Sequence, residues 1–334
     1  MKNIKFNKII ALSVLSITLF SCDRDDETLD DVRLTKAEVS LYKINVSATE
    51  GTDITFTLNV DTPNKTAMDY KIEVYDSGTT ASFRDFSCSV GGVNVDETTT
   101  DEGGFPQGKI GYSLKIPAFA SSTTFTITPD IDLLKEGNEV LKLRLVSSGN
   151  GLLKVNPSSE IITINIADFV SNDVGVGLIW DKQTNWFGTI SDRPYLGTDS
   201  VMHDTSMFDY DLYVLDSSGN PVNLDGATGA NPELSVLSAT SPDDVYDVYF
   251  EIFTYTGFIR PKVPFEQDIQ LTISKYGVWS TNIKVPLYSD NNFAGIVAQI
   301  TKTGNTYVVT DYTTSAVLAS GTLANKKINI LRKK

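Results

Sequence analysis

One histidine, two cysteines and three tryptophans are spread over 334 residues. So little imidazole and thiol excludes a His/Cys-ligated zinc centre and a multi-bridge disulfide framework. It also leaves a serine or cysteine nucleophile without its usual base. The lone His203 stands in Met202-His203-Asp204-Thr205-Ser206, with no Gly-x-Ser-x-Gly elbow anywhere, and reads as an ordinary loop histidine. Positive charge is scarce too. Against 42 Asp and Glu there are 28 Lys and Arg, a formal charge of -14, and such a surface repels phosphate backbones and argues against nucleic acid. The acid confers solubility or, in the sharper reading, binds cations. The apolar run at residues 9–20 is shorter than the roughly 20 residues a transmembrane helix needs.

What is present divides the chain. Its length suggests two domains of about 150 residues each. Residues 1–8 carry Lys2, Lys5 and Lys8 without acid, and residues 9–20 are apolar, the pattern of an export leader. Leu19-Phe20-Ser21-Cys22 resembles a bacterial lipoprotein box. The resemblance implies removal of residues 1–21 as a signal peptide and a diacylglycerol thioether at Cys22. Several acyl chains then give a stable membrane attachment, at about 0.8 kcal/mol per buried methylene. Asp23-Arg24-Asp25-Asp26-Glu27 resembles the acidic export signal of Bacteroidota-type surface lipoproteins, which implies an outer-membrane, lipid-anchored protein facing the cell exterior. Residues 22–33 are polar, acidic and without period, and are expected to form a flexible tether. With Cys22 acylated, Cys88 is a single thiol in a strand-like segment, expected to be a small buried hydrophobe.

Residues 34–170 alternate with period two. Val39, Leu41, Ile44 and Val46 come first, then Ile54, Phe56, Leu58 and Val60, then Tyr70, Ile72 and Val74, with turns rich in Gly, Asn, Asp and Pro between them. This predicts an antiparallel β-sandwich. Ala48-Thr49-Glu50-Gly51-Thr52, Asp130-Ile131-Asp132, Glu136-Gly137-Asn138-Glu139 leading into Leu141, Leu143 and Leu145, and Ile162-Thr163-Ile164-Asn165-Ile166-Ala167-Asp168 together resemble a Calx-beta domain. The resemblance implies a seven-stranded immunoglobulin-like sandwich, some of whose members bind calcium through carboxylates at one end. Carried over, Glu50, Asp130, Asp132, Glu136, Glu139 and Asp168 are the candidate calcium ligands. A hard cation taking six to eight oxygens needs such acids from separate loops.

After a short polar joint at residues 170–175, residues 175–334 continue the all-β pattern. Phe208-Asp209-Tyr210-Asp211-Leu212-Tyr213-Val214-Leu215-Asp216 followed by Ser217-Ser218-Gly219-Asn220-Pro221-Val222 predicts a hairpin. It is similar to the bacterial pre-peptidase C-terminal domain and related jelly-roll modules. Asp209 and Asp211 share a strand face and are expected to cap a turn, with calcium as the second option. Loop aromatics form the remaining signal: Trp186, Tyr195 and Phe258, with Arg260 nearby, are candidate ligand-binding residues on which a sugar or peptide could stack. The competing reading has these rings plugging the end of the sandwich.

The expectation is therefore an all-β chain of two tandem β-sandwich domains, immunoglobulin-like (Calx-beta-type) and then jelly-roll-like. It would be a non-enzymatic cell-surface lipoprotein that captures an extracellular glycan or protein. The rivals are a structural spacer or adhesion module presenting a partner protein, and a carboxylate-based glycoside hydrolase, which needs two acids about 5 to 9.5 Å apart in a cleft.

Overall fold

The structure, a computed structural model, describes residues 36–81, 85–98, 111–148, 151–183, 191–253, 259–321 and 323–324. The leader, Cys22 and the acidic run after it lie outside the described residues, as do Trp186 and Phe258.

Alternation sets the strands. In Ile54–Val60 the side chains of Phe56, Leu58 and Val60 are buried while Thr55, Thr57 and Asn59 face solvent, the pattern of a sheet with one wet face. The first half of the chain contains β1 (Ala37–Leu41), β2 (Asn45–Thr49), β3 (Ile54–Val60), β4 (Met68–Val74), β5 (Phe86–Val90) and β6 (Val93–Asn94). It continues with β7 (Glu97–Thr98), β8 (Gly111–Ile116), β9 (Ser122–Pro129), β10 (Glu139–Ser147), β11 (Leu153–Val155) and β12 (Ile161–Ala167). One sheet has the order β11-β1-β3-β9-β5-β6 and the other β2-β12-β10-β4-β8-β7. β1 pairs parallel with β11, and β2 parallel with β12. The break after Leu41, where Tyr42 is 85 % exposed, thus hands the first strand from one sheet to the other. The inner faces share one core running from Ala37 to Ile166. At its centre Phe56 stacks on Phe125 of the neighbouring strand, ring centroids 5.3 Å apart. Cys88 is buried in this core and burial pushes its thiol up to about 12, so it packs as the small hydrophobe expected of it.

The second half comprises β13 (Val174–Trp180), β14 (Lys182–Gln183), β15 (Ser191–Asp192), β16 (Pro194–Leu196), β17 (Met202–Asp204), β18 (Tyr210–Leu215) and β19 (Glu233–Leu237). Then come β20 (Val245–Ile252), β21 (Glu266–Lys275), β22 (Trp279–Tyr288), β23 (Ala294–Thr303), β24 (Thr306–Asp311), β25 (Val317–Ser320) and β26 (Leu323–Ala324). Sheets β19-β13-β21-β22 and β18-β20-β23-β24-β25-β26 enclose a separate core, with β14-β15 and β16-β17 as small hairpins. Trp180, Trp279, Tyr210, Phe208 and Phe250 are its large buried rings. The chain is all-β, built of sandwiches.

One local expectation changes. The hairpin predicted after β18 is reduced to a turn and a single bridge, Leu215 to Pro221, flanked by the Asp216 N–H on the Asn220 carbonyl at 2.8 Å and the Val222 N–H on the Val214 carbonyl at 2.9 Å. β18 pairs instead with the distant β20. The turn is capped by Asp216, which accepts the N–H groups of Ser218 and Asn220, each at 2.9 Å, and not by Asp209 or Asp211. The Asp211 carboxylate takes the Tyr213 hydroxyl at 2.9 Å.

Gly51 turns the chain from β2 into β3 with φ of 75°, and a Cβ there would lie 2.8 Å from Ile131 Cδ1. Replacing it by alanine is expected to cost about 1–2 kcal/mol of stability from the left-handed backbone, measurable as a shift in urea midpoint with unchanged slope.

Candidate cation site at the joint between the sandwiches

Carboxylates from four separate segments meet at the end of the first sandwich that faces the second. Glu50 precedes Gly51, Asp85 precedes β5, Asp132, Glu136 and Glu139 come from the connection into β10, and Asp168 follows β12. Backbone N–H groups hold three of them. Phe169 donates to Glu50 Oε2 at 3.0 Å. Leu134 donates to Asp132 Oδ1 at 2.6 Å. Gly137, at φ 84°, donates to Asp168 Oδ1 and Oδ2 at 2.9 and 3.2 Å. Asp85, Glu136 and Glu139 offer one oxygen each, all within 4.8 Å of one another.

Burial beside other acids raises the proton affinity of Glu50, Asp132 and Glu139. Burial lifts the Glu50 carboxyl to about 7, with Asp132, Asp168 and Glu136 adding repulsion against the Phe169 N–H. Burial likewise brings Asp132 to about 6. Glu139 is held well above the usual range by burial, then by Glu136 and Asp85. Close like charges out of water are costly. The donor set is all oxygen and anionic, which suits a hard divalent cation such as calcium rather than zinc or copper. The three clustered acids could hold a metal ion.

Of the six acids singled out in the sequence, five come together here. Asp130 does not: its carboxylate takes the Ser87 hydroxyl at 3.3 Å. Asp85 takes part in its place and was missed. Its segment reads Phe83-Arg84-Asp85-Phe86, where an adjacent arginine makes the acid look already paired. The usable signal is register, because the Asp130 N–H donates to the Asp85 carbonyl at 2.7 Å.

The connection carrying Asp132 and Glu136 also grips the second sandwich. Leu133 lies over Gly175 and Gly177 of β13, and Lys135 Nζ donates to the Val278 carbonyl at 2.6 Å. Phe169 meets Tyr276 edge-on at 5.7 Å, the Tyr307 hydroxyl reaches the Asn172 carbonyl at 2.8 Å, and Asp173 Oδ1 accepts the Ala239 N–H at 2.7 Å. The short joint is thus clamped from both sides.

The aromatic candidates in the second sandwich fare differently. Tyr195 is 5 % exposed. Its ring packs against Phe208 and Phe265 and its hydroxyl reaches the Ile259 carbonyl at 2.7 Å, so it plugs the end of the core and offers no open stacking face. Arg260 donates to the Asp290 carbonyl at 3.0 Å and to Asn292. His203 sits on β17 with Nε2 at 2.9 Å from Asp199 Oδ2, a paired surface histidine.

No protein-family model matches the chain, and no curated protein matches it. Among solved structures it is similar to the apo-form Calx CBD1 domain, at 17 % identity, covering 40 % of this chain and 97 % of that one with a TM-score of 0.29. CBD12 from CALX1.2 is similar at 12 % identity, with 69 % and 81 % covered and a TM-score of 0.28. The class 5 fimbriae chaperone CfaA is similar at 16 % identity, with 68 % and 100 % covered and a TM-score of 0.23. Likenesses this distant carry no weight for function, and the fold rests on the strand pairings above.

Proposed function

We propose that the chain is a non-enzymatic, calcium-binding surface lipoprotein in which the first sandwich supports the second for capture of an extracellular glycan or protein. The observation that carries the cation is the convergence of carboxylates from four segments, with Glu50 and Asp132 raised toward neutrality. Buried like charges this close are relieved by protonation or by a counter-ion, and a hard divalent cation is the counter-ion that an all-carboxylate set suits. Support for the anchor is the leader, Cys22 and the acidic run. Support for recognition is the cluster of loops around Arg260. There Arg193 lies over the Phe265 ring, 4.3 Å from its centroid, and Met202 and Val263 are exposed.

The clamped joint favours a second reading, a stiff spacer that presents a partner protein. A glycan array probed with the full chain separates the two. Capture requires binding to at least one glycan class that weakens about tenfold or more in Arg260→Ala, the loss expected when a hydrogen-bonding cation is removed from a polar site. A blank array together with a stable membrane-protein partner in pull-downs supports the spacer. Mass spectrometry of the native protein checks the anchor. Acylated Cys22 is expected, and an unmodified thiol there contradicts it.

A further inference from the structure

Among the described residues, Phe119 combines two features that a folded core does not explain. It is 74 % exposed, and its φ of 62° places a bulky aromatic residue in the left-handed region that favours glycine or asparagine. The turn is held from outside the ring: the Phe119 N–H donates to the Asn64 carbonyl at 2.7 Å, and Ala120 N–H to the Pro117 carbonyl at 3.2 Å. Phe119 belongs to neither hydrophobic core. Glycine would suit this backbone better, so the ring needs another purpose.

Its position in the sandwich suggests one. β3 runs from Ile54, beside Gly51 and the carboxylates, to Val60, and β1 pairs antiparallel with it through Val39 and Val60. Lys36 therefore lies beyond the far end of β3, where the Asp61 N–H donates to the Glu38 carbonyl at 3.0 Å. The turn containing Asn64, and with it Phe119, occupies the same end. Lys36, Lys65 and Lys115 are all exposed there. Residues 1–35, with Cys22, join the fold at that end.

We propose that Phe119 inserts into the outer surface of the lipid bilayer, flanked by these lysines, and so fixes the first sandwich with its carboxylate end and the second sandwich pointing away from the membrane. The inference rests on the lipid anchor proposed above. An exposed aromatic side chain at the same end of the sandwich as three exposed lysines fits the apolar-polar boundary of a bilayer. A chain as long as residues 22–35 spans on the order of 20 Å where it behaves as a coil. Attachment at Cys22 would therefore hold the ring at an effective concentration of about a millimolar or more, enough for one weak insertion to persist.

The test uses the full acylated chain carrying Phe119→Trp, reconstituted in vesicles of phosphatidylethanolamine and phosphatidylglycerol. The unmodified chain supplies the emission of Trp180, Trp186 and Trp279 for subtraction. Lipids brominated high on their acyl chains should remove about half of the added emission, as for a ring at the apolar-polar boundary, and aqueous iodide should barely touch it. Strong iodide quenching with no bromine quenching, on chains that float with the vesicles, overturns the insertion and leaves the anchor standing. Chains that fail to float overturn both. Phe119→Gly guards against a folding role: its melting temperature should equal or exceed that of the parent, and a clear drop would show that the ring serves the fold.

Discussion

Calcium at a free concentration about a hundredfold above its dissociation constant should raise the unfolding free energy by about 2.7 kcal/mol. For a chain of this size that corresponds to a melting temperature higher by about 4 °C. The gain should depend on pH in a defined direction. Glu50 and Asp132 are held above their ordinary values, at about 7 and about 6, so between pH ~4 and ~7 the native chain binds more protons than the unfolded one. The contribution of these two carboxyls to metal-free stability is then fullest below pH ~4 and is lost as pH rises through 6 and 7. Calcium needs the deprotonated carboxylates, so its stabilising effect should grow over that same window, with protons released on binding. Melting curves in chelator and in calcium, at about pH 5 and about pH 8, measure all of this. The pair Asp132→Asn and Glu139→Gln should abolish the calcium shift while raising the metal-free stability at the higher pH, because neutral amides remove the repulsion. Identical curves with and without calcium at pH 8 would exclude the site.

Gly175→Val should cost about 1–3 kcal/mol, the usual range for overpacking a filled interface, and should do so by separating the sandwiches. A Cβ at Gly175 would collide with Leu133 and lie 2.6 Å from the Tyr276 hydroxyl. Tyr276 is also the ring that Phe169 packs against, so both faces of the joint would give way together. Scattering should report a longer molecule, and calorimetry a broader transition or two transitions where the parent shows one. Leu133→Ala in the Gly175→Val background should recover part of the loss by making room, a coupling that additive effects cannot produce. An unchanged scattering profile would mean that the clamp is not what holds the two halves together.

Much of the fold was legible because it is written in period two. Phe56-Leu58-Val60 and Leu141-Leu143-Leu145 announce strands with one buried face, and the structure places these residues at the centre of the first core. The failure after β18 was also local. A Ser-Gly-Asn turn signals a hairpin, but the chain after Pro221 keeps only one bridge to β18, and β20, some thirty residues on, supplies its full-length partner. The acids Glu50, Asp132, Glu136, Glu139 and Asp168 were singled out through the Calx-beta resemblance of their segments, and the structure brings them near one another. Asp85 was hidden because its contribution depends on the pairing of β5 with β9, a contact between residues far apart in the chain. Tyr195 misled for the opposite reason. It lies among turn residues, yet the β16-β17 hairpin folds its ring inward against Phe208, and no periodicity over three residues can reveal which way a ring points.

The most direct test of the cation site is a calorimetric titration of the full chain with calcium, at about pH 7 and in two buffers of different ionisation enthalpy. A saturable heat with about one equivalent or more of calcium bound is predicted. The two buffers should differ in apparent heat by the protons that leave Glu50 and its neighbours. A flat titration in both buffers, matched by the Asp132→Asn and Glu139→Gln pair, would contradict the account.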